Sequence, residues 1–235
     1  MLELDDERMD RRLGAIGKAY DLTVEQYRIG TDPLKDVSED IRSSQFYRSF
    51  AEGKTDTNSA AADINEYLCP EDGMRFLDVG CCANLVNYRL DRWPSNYYGV
   101  DISPALVNAM KAFVARQGVS IGGLHVAELA RLPFADGFFD IAAVIGVLEY
   151  CSLRYIRKGL LELNRVMRPG SRVIVDVPNR DHPYARDMAR LEEYLERPIV
   201  LHFRSKFEDA LKGLFSIDHV GDSNVMIKYF VRKVR

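Results

Sequence analysis

The chain has 235 residues, of which 47% are hydrophobic and 29% are charged, as is typical of a globular α/β domain with embellishments. Its net charge of −3 and pI near 5.9 argue against a function that relies on electrostatic attraction to nucleic acid or to an anionic membrane. No stretch approaches the roughly 18 apolar residues of a membrane span, and the first residues lack the apolar core of a signal peptide. We therefore expect a cytoplasmic protein that has no membrane as its partner, and its charge balance does not call for a nucleic acid as partner.

The first 68 residues are predicted to be helical. Apolar residues recur at helical spacing over residues 9–27, and Pro33, which follows polar residues, ends this pattern. Further helical stretches follow, with a polar joint over residues 53–59 between them. We expect residues 1–68 to form an N-terminal helical cap or lid and residues 69–235 to form the main domain.

From residue 75 onward, short apolar runs alternate with helices. The predicted strands cover residues 76–79, 97–100, 124–126, 141–147 and 172–177. Such an alternation favours a doubly wound parallel sheet. Near the end of the chain, residues 217–220 and 225–231 are separated by Gly-Asp-Ser-Asn, which predicts an antiparallel hairpin.

The four cysteines predict neither a metal site nor a disulfide. Cys69, Cys81, Cys82 and Cys151 form no C-x-x-C pair, and none lies near a histidine at a zinc-finger spacing. A disulfide between two adjacent cysteines would be strained. We interpret all four as reduced thiols.

A glycine turn after the first strand is the strongest local signal of a ligand site. Gly80 ends the strand, and a helix follows, so the backbone can approach a ligand closely. Cys82 and Leu85 stand where a nicotinamide-dinucleotide fingerprint requires glycines. Asp78 would repel a pyrophosphate and attract a cationic amino acid group, a difference of about 4 kcal/mol at about 4 Å and an effective dielectric constant of about 20. The turn therefore favours a zwitterionic or cationic ligand.

Two acidic residues follow the next two strands. Asp101 ends the second strand, where a carboxylate can accept hydrogen bonds from two ribose hydroxyls, although it could instead cap a helix. Glu128 lies just past the third strand, where it could accept from an adenine amino group or simply face solvent.

Together these motifs resemble the class I S-adenosylmethionine-dependent methyltransferases of the small-molecule type. The matching segments are residues 78–81, 98–101, 132–140 and 163–170. The resemblance implies a doubly wound, mostly parallel seven-stranded sheet with an antiparallel last strand, and S-adenosylmethionine as the cofactor. The first motif departs from the family pattern, because Cys82 and Asn84 replace its second and third glycines.

The resemblance also implies roles for individual residues. Those expected to hold the methionine part of the cofactor or to form its turn are Asp78, Gly80, Cys82 and Ile145. Those expected at the ribose and adenine are Asp101, Ile102, Glu128 and Leu129.

Candidates for the acceptor side follow the fourth and fifth strands. Tyr150 and His182 are candidate catalytic residues that contact the acceptor or act as a general base, although loop or capping roles are the simpler interpretation. Residues 179–206 are predicted to form a lid insertion over the acceptor.

Several functions remain open at this stage. The leading hypothesis is a methyltransferase that acts on a small-molecule metabolite. A non-catalytic protein of the same fold, a methyltransferase of RNA or protein and a nicotinamide-dependent enzyme are the alternatives, of which the altered glycine pattern and Asp78 make the last the weakest.

Overall fold

A seven-stranded sheet forms the centre of the computed structural model, which describes residues 2–51, 60–82, 84–87 and 90–234. The strands are β1 (Arg75–Val79), β2 (Asn96–Asp101), β3 (Gly123–Val126), β4 (Phe139–Val144), β5 (Met167–Pro178), β6 (Phe215–Gly221) and β7 (Met226–Lys233). Their order across the sheet is β3-β2-β1-β4-β5-β7-β6. The first five are parallel, whereas β7 runs antiparallel to both β5 and β6. The predicted fold is therefore confirmed.

Helices connect the strands and precede the sheet. They are α1 (Leu2–Arg28), α2 (Glu39–Arg42), α3 (Gln45–Ala51), α4 (Ala60–Leu68), α5 (Asn84–Asn87), α6 (Pro104–Gln117), α7 (Leu153–Val166), α8 (Ala185–Tyr194) and α9 (Arg204–Leu211). Short 3₁₀ turns cover Leu90–Arg92 and Leu148–Tyr150. The predicted polar joint over residues 53–59 lies outside the described residues.

Two strand boundaries differ from the sequence prediction by three or more residues. β4 ends at Val144 rather than at residue 147, because Gly146 takes a positive φ of 70° that breaks the extended backbone. β5 begins at Met167 rather than at residue 172, and its pairing with β4 is irregular between Phe139 and Ile141. An irregularity in the ladder lets Pro169 and Gly170 lie within the strand.

The central strand β4 is buried on both faces. Ile141 and Ala143 join the core on one side of the sheet, and Ala142 and Val144 join the core on the other. This is the packing of a parallel strand that is covered by helices on both sides. No helix among the described residues has the length and apolar character needed to cross a bilayer.

The N-terminal helices pack in two ways. α1 lies against α6, next to the main sheet. α2 and α3 pack on α8, where Ile41 and Phe46 share a small apolar core with Met188 and Leu191. The N-terminal segment and the segment that follows β5 therefore form one joint layer.

Candidate functional site

A cleft lies at the carboxyl ends of the strands, beside the point where the sheet order reverses between β1 and β4. From β1 the chain winds outward to β2 and β3 and then crosses back to β4. In doubly wound sheets this position is the usual ligand site. The cleft holds about 530 Å³ of empty space, counting space open to solvent.

The cleft brings together six of the residues that the sequence nominated. They are Gly80, Cys82, Asp101, Ile102, Leu129 and Tyr150. The other four, which are Asp78, Glu128, Ile145 and His182, are not among the residues that line it.

The turn after β1 depends on glycine at position 80. Gly80 has a φ of 72°, and a Cβ there would lie 2.2 Å from Cγ2 of Val147. The Gly80 and Cys81 N–H groups both donate to the Val100 carbonyl, at 2.7 and 2.9 Å. Cys82 also has a positive φ, of 36°, so this residue keeps a backbone conformation that favours glycine.

Asp101 is held in a fixed orientation on the floor of the cleft. Its Oδ2 accepts from the Cys82 N–H at 2.8 Å, and its Oδ1 accepts from the Ser103 N–H at 2.9 Å. Burial raises the pKa of the Asp101 carboxyl, and the bonds from the backbone N–H groups oppose that rise. Each oxygen still has a free lone pair, so the carboxylate has the acceptor capacity that a vicinal diol needs.

Asp78 is turned away from the cleft. It is buried, and its Oδ2 accepts from the Tyr97 hydroxyl at 2.8 Å while its Oδ1 accepts from Asn84 Nδ2 at 3.4 Å. Burial raises the pKa of Asp78 to about 7, although both bonds oppose the rise. Asp78 and Ile145 line a smaller cavity on the other side of the turn. These two residues therefore line a cavity other than the one that holds Gly80, Cys82 and Asp101, and their place beside the methionine part of the cofactor stays a prediction.

Glu128 lies behind a tyrosine that lines the cleft. Its Oε2 accepts from the Tyr155 hydroxyl at 3.1 Å, and Tyr155, rather than Glu128, lines the cleft. The neighbouring Leu129 does line the cleft and packs closely on Gly159, where an added Cβ would lie 2.7 Å from its side chain.

His182 does not reach the cleft. Its Nδ1 accepts from the Tyr184 N–H at 3.1 Å, just before α8 begins. This bond gives His182 a turn-forming role, and its role as an acceptor contact stays a prediction. A different histidine lies nearer, because His202 Nε2 is 2.7 Å from the carbonyl of Cys151, a residue that lines the cleft.

Helix α1 covers the cleft. The sequence predicted a helical cap over residues 1–68 but did not indicate which of its residues line the cleft. Leu13, Ile16 and Tyr20 line it from above. An added Cβ on Gly17 would lie 3.4 Å from the Ile102 carbonyl, so the helix approaches the β2–α6 loop closely. Asp21 Oδ1 accepts from the Ala105 N–H at 3.1 Å and from the Ser103 hydroxyl, which joins α1 to the start of α6.

Two buried carboxyl groups lie behind the end of β4. Asp176 Oδ1 accepts from the Gly146 N–H at 2.9 Å, and burial raises the pKa of Asp176 to about 7. Burial and the nearby charge of Asp176 raise the pKa of Glu149 well above its ordinary value. Among the described residues, Glu149 Oε2 has no hydrogen-bond partner.

Tyr150 contacts two helices that are distant in the chain, α1 and α8. Its hydroxyl donates to Glu192 Oε2 at 3.1 Å and lies 2.9 Å from the Tyr20 hydroxyl. Its carbonyl accepts from Arg12 Nε at 2.7 Å. The sequence nominated Tyr150 but missed Tyr20 and Glu192, because only the folded chain brings α1 and α8 to the end of β4.

Known methyltransferases are similar to part of this chain. Residues 77–175 match the protein-family model described as a methyltransferase domain. The O-methyltransferase cnsE of Penicillium expansum is 30% identical to the chain over 143 residues, which are 59% of this chain and 51% of that protein. The chain spans about half the length of the curated relatives that it matches.

Solved structures share the fold over most of the chain. The [4+2]-cyclase SpnF has a TM-score of 0.64 and 15% identity, with 93% of this chain and 95% of that chain covered. A geranyl diphosphate C-methyltransferase from Streptomyces coelicolor A3(2), solved with Mg²⁺, geranyl diphosphate and S-adenosyl-L-homocysteine, also has a TM-score of 0.64. It is 14% identical, with 86% of this chain and 87% of that chain covered. At these identities the likeness establishes the fold alone.

Proposed function

We propose that the protein transfers a methyl group from S-adenosylmethionine to a small-molecule acceptor, because residues 77–175 match a methyltransferase domain. One observation carries the proposal, namely that the Asp101 carboxylate lies in the cleft with both oxygens fixed by backbone N–H groups. A carboxylate at the end of β2 is suited to binding ribose hydroxyls. The O-methyltransferase relative supports the same reaction type.

The residues of the cleft fit this cofactor. Asp101 would hold the ribose, while Ile102 and Leu129 would flank the adenine with apolar surface. The Gly80–Cys82 turn would lie along the amino acid part of the cofactor. A side chain at position 80 would collide with Val147, which also lines the cleft. When bound, S-adenosylmethionine supplies an electrophilic methyl group on a sulfonium.

The remaining chemistry is alignment and exclusion of water. We propose that α1 covers the cleft as part of a cap formed by residues 1–68, and that residues 179–206 act with it as a lid. Leu13 and Ile16 would keep water away from the reacting groups, and alignment of two reactants can contribute about 7–11 kcal/mol. A small-molecule acceptor and a cytoplasmic location are part of the same proposal.

Calorimetric titration with S-adenosylhomocysteine tests the cofactor site. We expect micromolar binding, about −8 kcal/mol, and at least a tenfold loss in Asp101→Asn. Asp140→Asn is the matched control, since Asp140 also accepts a backbone N–H, from Arg75 at 2.8 Å, but at the opposite end of β1. An equal loss of affinity in both variants, or no binding by the wild-type protein, would contradict the proposal.

A second candidate function is a reaction in the same cleft that transfers no methyl group. The observation in its favour is that a structural neighbour covering 95% of its own chain is named a [4+2]-cyclase. Incubation with methyl-labelled S-adenosylmethionine and a panel of phenols, amines and enols separates the two. Labelled product supports methyl transfer, whereas cofactor binding with no labelled product across the panel supports the second candidate.

A further inference from the structure

Three side chains from three separate elements form one hydrogen-bonded chain that leads away from the cleft. Tyr20 on α1 and Tyr150 after β4 both line the cleft. Their hydroxyl oxygens are 2.9 Å apart, and Tyr150 donates onward to Glu192 Oε2 on α8 at 3.1 Å. The side chain of Glu192 is only 20% exposed.

The direction of these bonds follows from the number of protons. Tyr150 has a single hydroxyl proton, and it is given to Glu192. The proton between the two tyrosines must therefore come from Tyr20. The Tyr20 oxygen keeps two lone pairs that this chain of bonds does not use, so it can accept a proton from a group in the cleft.

The Glu192 carboxyl forms an ion pair with Arg197. Arg197 Nε lies 3.0 Å from Glu192 Oε2, and its guanidinium stands over the Tyr20 ring at 4.5 Å. Burial raises the pKa of Glu192, while Arg197 and the bond from Tyr150 lower it. Glu149 also faces this group from the 3₁₀ turn, and burial and the charge of Asp176 raise the pKa of Glu149. Arg197 therefore balances the charge of Glu192.

Both tyrosines stay protonated across the physiological pH range. Burial raises the pKa of Tyr20 and of Tyr150 far above the ordinary value for a phenol. Neither can act alone as a base at neutral pH. Each can still pass a proton along, because it receives one as it gives its own away.

Resting on the proposed function, we propose that Tyr20, Tyr150 and Glu192 form a proton relay for a methyl acceptor whose attacked atom carries a proton. The acceptor O–H bond breaks and its proton goes to the Tyr20 oxygen. The Tyr20 proton passes to Tyr150, and the Tyr150 proton passes to the Glu192 carboxylate. The electron pair left on the acceptor oxygen forms the bond to the methyl carbon, while the pair of the methyl–sulfur bond returns to sulfur.

The relay narrows the class of substrate. Phenols have pKa values near 10, so their hydroxyl needs a base at neutral pH. The walls of the cleft beside Tyr20 are apolar or aromatic, formed by Leu13, Ile16 and Tyr155. These two features together favour a phenolic hydroxyl on an apolar body. Tyr20 would contact the substrate, and Glu192, which acts through the tyrosines, is a positioning residue.

A chromogenic phenol tests the relay without knowledge of the natural acceptor. 4-Nitrophenol absorbs visible light when it is ionised, so its protonation in the cleft can be followed against pH, with and without S-adenosylhomocysteine. The variants are Glu192→Gln and Tyr20→Phe. Their matched controls are Glu193→Gln and Tyr27→Phe, exposed positions on the same two helices.

We expect bound 4-nitrophenol to ionise at least one pH unit lower in the wild-type protein and both controls than in either relay variant. With a phenol that the wild-type protein methylates, we expect kcat at neutral pH to fall about 10²–10⁴-fold in Glu192→Gln, with little change in KM. In that variant the rate should rise in proportion to hydroxide.

The outcomes separate the relay from the proposed function. Equal ionisation of bound 4-nitrophenol in all five proteins, or no binding of it to the wild-type protein, would overturn the relay. Absence of S-adenosylhomocysteine binding would instead overturn the cofactor proposal, and the 4-nitrophenol titration of the protein alone would still decide the relay. Tyr20→Phe tests the same relay if Glu192→Gln does not fold.

Discussion

The backbone at Cys82 offers a quantitative test of how the altered turn is built. Cys82 has a φ of 36°, in the left-handed region that favours glycine. A residue with a side chain in that region lowers the free energy of unfolding by about 1–2 kcal/mol through backbone strain. Glycine avoids this strain but lowers the free energy of unfolding by about 0.5–1 kcal/mol, because it gives the unfolded chain greater conformational freedom. The difference predicts that Cys82→Gly raises the free energy of unfolding by about 0.5–1 kcal/mol. The Cys82 N–H still donates to Asp101, because the substitution leaves the backbone intact.

Urea denaturation at pH 7 measures this gain, and Cys82→Ala is the control. Alanine removes the sulfur but keeps the Cβ and the positive φ, so it should give no gain. A stabilisation of about 0.5–1 kcal/mol corresponds to roughly 1–4 °C in the melting temperature of a chain this long. If Cys82→Ala stabilised the protein as much as Cys82→Gly, or if Cys82→Gly destabilised it, backbone strain would not be the property that distinguishes this turn.

Three further predictions concern the same turn and the helix above it. Gly80→Ala should lower the free energy of unfolding by about 2–4 kcal/mol in urea denaturation, because it adds left-handed strain and a contact 2.2 Å from Val147. The pKa of Asp78 is raised from 3.8 to about 7 in the folded protein, so the stability that Asp78 contributes is present below about pH 4 and is lost as the pH rises through 7. The free energy of unfolding of the wild-type protein should therefore decline between about pH 4 and pH 7. Asp78→Asn should flatten that decline by up to about 1.4 kcal/mol per pH unit. Asp21→Ala should lower stability by about 1 kcal/mol and speed dissociation of S-adenosylhomocysteine in stopped flow, and the exposed Asp10→Ala should do neither.

The sheet and the floor of the cleft could be predicted because their signals are local. Alternating strands and helices gave the parallel core, and the Gly-Asp-Ser-Asn turn gave the antiparallel pair β6–β7. Gly80 and Asp101 follow their strands directly, so their position at the carboxyl edge needed no knowledge of distant contacts. The location of such residues can therefore be predicted from a few neighbouring residues in the sequence.

The orientation of Asp78 could not be predicted in the same way. Side chains alternate between the two faces of a strand, and Leu77 and Val79 join one core while Phe76 joins the other. Asp78 therefore points to the same side as Phe76, away from the cleft. The alternation itself is visible in the sequence, but which face turns toward the ligand depends on how the helices close over the sheet.

The acceptor side of the cleft lies largely outside the matched domain. Residues 77–175 include Gly80, Asp101 and Tyr150, but α1 and α8 fall before and after them. Tyr20 and Glu192 reach Tyr150 from 130 and 42 residues away in the chain. Under the proposed function, a relative that matches only over residues 77–175 would share the part of the site that holds the cofactor and need not share Tyr20 and Glu192. Among relatives with this domain, a tyrosine and a carboxylate that meet at the end of β4 would identify those that use a protic acceptor in this way.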